Sequence, residues 1–238
     1  MEKLEQLYEG KAKKIYKTTS ENTFWVEYKN SVTAFNGEKK DEIEGKGALN
    51  NKISSRIFKL LEYRGIHSHF IEQISETEQL VKRVEIIPIE VVVRNIVAGS
   101  MSKRLGIHEG TQLNKPIVEF YYKNDELNDP LITTSHIRVL GLADKKQVQK
   151  IKEMALSVNQ VLQDIFEELE ITLVDFKLEF GIDSVANIVL ADEISPDTCR
   201  LWDKKNNEKL DKDLYRRDLG DIISGYEKVY NKLLEINK

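Results

Sequence analysis

Within Val174-Asp175-Phe176-Lys177-Leu178-Glu179-Phe180, the two-residue period of a strand sends Asp175, Lys177 and Glu179 to one face. Phe176, Leu178 and Phe180 go to the other. A solvated strand face carrying a salt bridge would produce the same pattern. The following segment, however, runs from Asn187 to Leu190 directly into Asp192 and Glu193, so hairpin pairing would bring a second acidic pair near Glu179. Carboxylates gathered in this way repel one another unless a cation sits among them. All-oxygen donors suit Mg2+, which takes one or two protein carboxylates and completes its shell with phosphate oxygens and water. Lys177, between the carboxylates, could hold a phosphate or a substrate carboxylate.

Two further segments carry anion-binding chemistry. Tyr8-Glu9-Gly10-Lys11-Ala12-Lys13-Lys14 puts a glycine and clustered lysines at the start of a strand, where backbone can approach a phosphate and ammonium groups can neutralise it. A turn before a solvated edge strand has the same composition. The spacing is not that of a Walker A loop, and Gly45-Lys46-Gly47 fails the dinucleotide fingerprint because Asn50 stands in the third glycine's place. In Pro88 to Ser100, an apolar strand carries Arg94 and then reaches Gly99-Ser100 ahead of a short helix, where free N–H groups and a hydroxyl suit a phosphate monoester. An ordinary helix start with a structural arginine is the alternative. Lys123 to Pro130 is polar and turn-rich, either a surface loop or a substrate lid. His67 and His69 lack a third metal ligand at suitable spacing, and His108, His136 and Cys199 have no partner that would activate them.

These residues need a scaffold. Ala12–Thr18, Thr23–Tyr28, Phe70–Ile74, Gln79–Val84 and Glu90–Ile96 are short, β-branched or aromatic, and bounded by turn formers, which predicts an antiparallel sheet. Leu49, Ile53, Ile57 and Leu60 recur at helical spacing before Gly65. A longer apolar stripe from Val148 to Leu169 predicts a helix of about six turns, and Ile222, Tyr226, Val229 and Leu233 predict a last one. Ile171–Phe180 and Ala186–Ala191 read as a hairpin. This order predicts an α+β fold and not a doubly wound parallel sheet.

Composition narrows the function classes. The 238 residues, 40% apolar and 32% charged, suffice for a core, and a net charge of -4 argues against a general nucleic-acid coat protein. One cysteine cannot build a disulfide framework, and no apolar run approaches bilayer length. The start, MEKLEQLYEG, lacks the apolar core of a signal peptide. The expectation is a soluble cytoplasmic protein acting on small molecules, with neither nucleic acid nor membrane as partner.

Taken together, the motifs resemble the SAICAR synthetase family over nearly the whole chain. The resemblance rests on Tyr-Glu-Gly-Lys-Ala-Lys at 8–13, Lys-Gly-Ala-Leu-Asn-Asn at 46–51 and Glu-Val-Val-Val-Arg-Asn-Ile-Val-Ala-Gly-Ser at 90–100. Leu-Val-Asp-Phe-Lys-Leu-Glu-Phe-Gly at 173–181 and Asp-Glu-Ile-Ser-Pro-Asp-Thr-Cys-Arg-Leu-Trp-Asp at 192–203 complete it. It implies a homodimeric, ATP- and Mg2+-dependent carbon-nitrogen ligase of purine biosynthesis. Such an enzyme joins L-aspartate to 5-amino-1-(5-phosphoribosyl)imidazole-4-carboxylate through an acyl phosphate. It also implies a sheet lobe like a kinase small lobe, expected at 1–85, a larger α+β lobe at 86–238, and nucleotide in the cleft between them.

By the same resemblance, Gly10, Lys11, Ala12 and Lys13 would cover the ATP phosphates and Lys82 would contact the nucleotide. Glu179 and Asp192 would ligate Mg2+. Lys177 would bridge the transferring phosphate and the substrate carboxylate, with Asp175 orienting it or accepting a proton. Arg94, Ser100 and Arg200 would hold the phosphoribosyl end, with Lys123 and Asp129 as cleft contacts. Many family members carry acidic residues in the segment that here reads Ser31 to Gly37, so Asn36 points to substrate binding and not to base catalysis. A kinase-type phosphotransferase would present similar parts, but no His-Arg-Asp or Asp-Phe-Gly tripeptide is present. A non-catalytic nucleotide sensor on the same fold is disfavoured by the intact Lys177, Glu179 and Asp192.

Overall fold

The computed structural model of the chain describes residues 1–34 and 37–236. Strands β1 (Lys3–Glu9), β2 (Lys13–Thr18) and β3 (Thr23–Tyr28) form an antiparallel meander. A small hairpin, β4 (Ser31–Ala34) and β5 (Lys39–Glu42), leads into helix α1 (Lys46–Tyr63). Strands β6 (Phe70–Gln73) and β7 (Glu78–Lys82) then return beside β3, giving the sheet order β1-β2-β3-β7-β6. The predicted apolar spacing is what makes α1 a covering helix: Ile53, Ile57, Phe58, Leu60 and Leu61 are buried, and Gly65 takes the left-handed conformation just beyond the end.

The second sheet is built on long strands. In chain order it is followed through β8 (Glu85–Ile96), α2 (Gly99–Leu105), β9 (Gln112–Tyr122), β10 (Leu131–Ile132), α3 (Thr134–Val139), α4 (Lys145–Glu168) and β11 (Ile171–Ile182). Strands β12 (Ile188–Ala191) and β13 (Cys199–Asp203) and helices α5 (Asp213–Arg216) and α6 (Ile222–Glu235) complete the chain. β11 lies antiparallel to β8 along most of its length. Its other edge is shared: β12 pairs with Glu179 to Ile182, and β13 pairs with Ile171 to Phe176. At Lys177 and Leu178 the two neighbours part, and the loop between them, residues 192–198, folds over the middle of β11.

Phe176, Leu178 and Phe180 point into a core shared with Val91 and Val93 of β8 and with the buried α4 residues Val148, Ile151, Ala155, Val158, Leu162 and Ile165. The start of α4 carries a reciprocal cap between Asp144 and Gln147. The α+β expectation and the predicted helices hold, with ends shifted by a few residues. β1, β9, β10, β13 and the β4–β5 hairpin were not anticipated, and Glu90–Ile96, expected beside the first four strands, lies instead in the second sheet between β9 and β11. Pro116 obscured β9, yet it lies beyond the short stretch, Phe120 and Tyr121, that β10 pairs, so no outer neighbour needs its missing N–H. Pro88 is accommodated where the β8–β11 register shifts between Glu179 and Gly181.

The sheets meet at His69, whose N–H donates to the Leu190 carbonyl at 2.8 Å while its carbonyl accepts from Lys82 N at 2.6 Å. The His69 ring is buried, edge-on to Phe58 at 5.5 Å, and Nδ1 has no partner. Burial, aided by Lys13, pushes its pKa down to about 3 from 6.5, against the opposing pull of Asp192. The folded state therefore excludes a proton that the unfolded chain accepts. Stability from this group is full above about pH 6.5 and is lost as pH falls toward 3, by roughly 1.4 kcal/mol for each unit of depression. In His69→Phe, urea denaturation at pH 7 and pH 4.5 should show a narrower stability gap than in the unmodified chain.

α1 begins in tight contact with the first sheet. A Cβ on Gly47 would lie 2.9 Å from the Tyr28 carbonyl oxygen and 3.0 Å from the Lys29 backbone. Helix propensity alone favours alanine there by up to about 1 kcal/mol. The backbone collision outweighs it, and Gly47→Ala is expected to destabilise by about 1–3 kcal/mol in thermal melts.

Candidate active site

One row of charge crosses three strands. In the register, Asp175 of β11 stands opposite Arg94 of β8 on one side and Arg200 of β13 on the other. Arg94 donates to Asp175 at 2.6 Å and to Glu119 at 2.7 Å, with Ser100 Oγ at 3.2 Å and the Tyr121 hydroxyl at 3.3 Å. Arg200 donates to Asp175 at 2.9 Å and to Asp213 at 3.0 Å. Burial alone would lower the pKa of both guanidinium groups, yet the carboxylates around them hold both above the ordinary value, led in each case by Asp175. Both oxygens of Asp175 are taken by arginine N–H donors.

Two residues further along β11 the arrangement inverts, with an ammonium among carboxylates. Lys177 Nζ lies 2.5 Å from Glu179, 3.0 Å from Glu90 and 3.6 Å from Asp192. Glu179 also accepts from Lys123, and Asp192 from Lys13, whose Nζ is 3.3 Å from Glu193. Burial works against charge on Lys177, but Glu179, Asp192 and Glu90 hold its pKa well above the usual lysine value. Asp192 is held below the carboxylate range by Lys13, Lys177 and Lys123, despite burial. Burial pushes Glu193 the other way. Asp192 also has φ of 61°, a left-handed conformation that is costly outside glycine and that turns the chain out of β12 at the site.

The first sheet contributes the loop before β2. Gly10 N donates to the Lys13 carbonyl at 2.8 Å, and the Ala12 and Lys11 carbonyls accept from Lys29 N and Ser31 Oγ, both at 2.8 Å. Lys11 reaches Asp125 at 2.6 Å, and Lys13 reaches Asp192, so both span to the second sheet. Lys82, at the end of β7, is exposed and close enough to His69 and Asp183 to act on them electrostatically. Asp129 accepts from Asn124 N at 2.8 Å and so ties its own turn together. Asn36 lies outside the described residues.

Between these groups is a cavity of about 400 Å³. Its described lining includes the cations Lys11, Arg94, Lys177, Arg200, Lys212 and Arg216, against the carboxylates Glu90, Asp175 and Asp197. Asp197, Lys212 and Arg216 were not singled out from sequence. Asp197 sat inside a recognised motif, whereas Lys212 and Arg216 occupy a short polar helix region with no periodic signal. Cys199 also lines the cavity, but burial pushes its thiol upward and keeps it protonated. His136 serves the cap of α3.

A cation-lined cleft between two antiparallel sheets, with a lysine held among carboxylates and a glycine-lysine loop above, defines an enzyme that handles phosphorylated, multiply anionic substrates. The sequence model of the SAICAR synthetase family matches residues 6–233. The phosphoribosylaminoimidazole-succinocarboxamide synthase of Bacillus subtilis (strain 168) is 65% identical over 231 residues, covering 97% of this chain and 96% of that protein. A crystal structure of the enzyme of that name from Ehrlichia chaffeensis superposes with a TM-score of 0.95 at 49% identity, covering 98% of this chain and 100% of that one. A SAICAR synthetase in complex with ADP gives 0.94, also at 49% identity, covering 98% and 99%. The chain belongs to the SAICAR synthetase family, ATP-dependent ligases of purine biosynthesis.

Gly99 shows how closely the site is packed. Its φ is 55°, and a Cβ there would lie 2.5 Å from Arg200 Nη2. Gly99→Ala should displace the guanidinium and lower kcat/KM by about tenfold or more, the scale of one charged hydrogen bond, and the left-handed backbone should also cost about 1–2 kcal/mol of stability, read as a lower melting temperature.

Proposed function

We propose that this cleft joins L-aspartate to 5-amino-1-(5-phosphoribosyl)imidazole-4-carboxylate, consuming ATP and yielding the succinocarboxamide, ADP and phosphate. The observation that carries the assignment is the cavity's excess of cations around Lys177, which matches reactants that all carry negative charge. An imidazole carboxylate oxygen attacks the γ-phosphorus and ADP leaves. The aspartate amine then attacks the acyl carbon, phosphate leaves, and the nitrogen gives up a proton. A free carboxylate is a poor electrophile, so activation must precede amide formation.

The chain's residues divide this work. Lys177, at the centre, offers its ammonium to the transferring phosphoryl group and the substrate carboxylate, where preorganised charge is most effective. The loop Gly10, Lys11, Ala12 and Lys13 covers the ATP phosphates, and Lys82 reaches the nucleotide from the end of β7. Arg94, Ser100 and Arg200 receive the phosphoribosyl end, Lys123 and Asp129 serve as further cleft contacts, and Asn36 has a substrate-binding role. Asp175, held by two arginines, is suited to orienting them more than to taking a proton. Residues 1–85 serve as the nucleotide lobe and 86–238 as the substrate lobe.

Glu179 and Asp192 fit Mg2+ by their donor chemistry: two oxygen-only side chains on either side of Lys177, suited to a cation that completes its shell with phosphate oxygens and water. Among the described residues no group of three His, Cys, Asp or Glu side chains is poised for a metal. When bound, the ion offsets charge on the phosphates. We place the enzyme in the cytoplasm as a homodimer by its family resemblance; no helix of the described chain is long and apolar enough to cross a membrane.

The test is ADP release from ATP and Mg2+ with the imidazole carboxylate, with and without L-aspartate, alongside mass detection of the succinocarboxamide. Equal amounts of ADP and succinocarboxamide, only with all components, support the assignment, and ATP binding without product would refute it. Lys177→Ala should reduce turnover by at least about 100-fold in a folded protein, and near-normal turnover would remove Lys177 from this role.

A further inference from the structure

One fully buried charged side chain in the described chain is a lysine outside the machinery above. Lys46, the first residue of α1, is 0% exposed, and its Nζ lies 2.5 Å from Asp197 Oδ2. The other oxygen, Oδ1, accepts from the Tyr226 hydroxyl of α6 at 2.5 Å, and Tyr226 is also 0% exposed. Taking an ammonium and a phenol out of water to serve one carboxylate is expensive unless that carboxylate must be held in place.

The direction of approach separates Asp197 from the other lining carboxylates. Asp175 is held by Arg94 and Arg200, which themselves line the cavity, and Glu90 is held by Lys177, which also lines it. The short partners of Asp197 come from beneath the wall, because neither Lys46 nor Tyr226 lines the cavity. A carboxylate has about four acceptor positions, and two remain after these bonds. Lys212, which does line the cavity, stands off at 4.0 Å. Lys212, Lys46 and Tyr226 together keep Asp197 below the ordinary carboxylate range despite its burial.

The loop is tied down elsewhere as well. Asp197 N donates to Ser195 Oγ at 3.1 Å, Lys177 N donates to the Thr198 carbonyl at 2.9 Å, and Ile194 N donates to Ser54 Oγ at 3.2 Å. Ser54 follows Lys46 by two helical steps of four, so one face of α1 holds both ends of the 194–197 segment.

We infer that Lys46 and Tyr226 are positioning residues that aim the Asp197 carboxylate into the substrate cavity to accept a hydrogen bond from a substrate amino group. Both co-substrates carry one: the ring amine of the imidazole ribotide and the α-amine of aspartate. ATP phosphates offer no donor to a carboxylate. The inference rests on the ligase reading, and its consequence is selective: loss of aim weakens the amine-bearing substrate and spares the nucleotide.

Tyr226→Phe keeps the packing and removes one hydrogen bond, and Lys46→Met is a second route to the same loss. For each, steady-state kinetics with every substrate varied in turn should show kcat/KM reduced by about 10- to 100-fold for one amine-bearing substrate, the scale of a reacting group misplaced by about 1 Å. KM for ATP should be unchanged. A larger effect on the ribotide arm assigns the ring amine, and a larger effect on the aspartate arm the α-amine. In the double-mutant cycle with Asp197→Asn, Tyr226→Phe should cost little further, since it acts through that carboxylate. Equal loss for all three substrates, additive effects, or unaltered kinetics in Tyr226→Phe would overturn the inference while leaving the ligase reading intact. Absence of succinocarboxamide from the unmodified enzyme would overturn both.

Discussion

Everything at this site depends on how the free edge of β11 is divided. β8 pairs with one side along most of its length, but the other side is given to β12 at one end and β13 at the other. The interval between them lets residues 192–198 leave the sheet and arch over Lys177. A single unbroken neighbour would bury that edge in ladder hydrogen bonds and leave Asp192 and Asp197 far from the strand. The division instead places Arg200 opposite Asp175, and Asp192 within reach of Lys177. The strain of a left-handed Asp192 is the local cost of that turn.

The second consequence is electrostatic. Lys13, Lys123 and Lys177 each meet a carboxylate, and Arg94 and Arg200 share Asp175. Charges with little access to water must be paired to be tolerated. In the proposed reaction, phosphate and carboxylate groups of the substrates compete for these cations, so binding exchanges internal ion pairs for intermolecular ones and starts from side chains already in place. Lys11 pairs with Asp125 in the turn after β9 and Lys13 with Asp192 just beyond β12, and this links the glycine-lysine loop of the first sheet to the second half of the chain.

Legibility in the sequence followed the range of the interaction. Alternation along 174–180 was enough to put Asp175, Lys177 and Glu179 on one face, because that pattern is local. Helical spacing likewise exposed α1, α4 and α6. That Arg94 faces Asp175, 81 positions away, depends on strand register, which no local pattern encodes, and the family resemblance, which set Asp175 beside Lys177, did not supply it. Lys46 illustrates the limit. A lysine at a helix start ordinarily reads as solvated, and it is tolerated in the interior here because Asp197, 151 positions on, pairs with it while Tyr226 holds the other oxygen of that carboxylate. β9 was hidden by Pro116, whose harmlessness depends on where β10 stops.

The same geometry argues for a division of labour among carboxylates that chemistry alone leaves open. Asp175 spends both oxygens on two arginines and is committed to holding them in place. Glu179 and Asp192 are each drawn to two ammonium groups and are suited to holding a positive ion. Asp197 alone among the described lining carboxylates is braced from the interior side, leaving its outer lone pairs unspent. An amide-forming site must bring a neutral amine to an acyl carbon amid groups that mostly attract anions. A carboxylate braced from behind is the one kind of acceptor here that can orient an amine without surrendering a cation that the phosphates need.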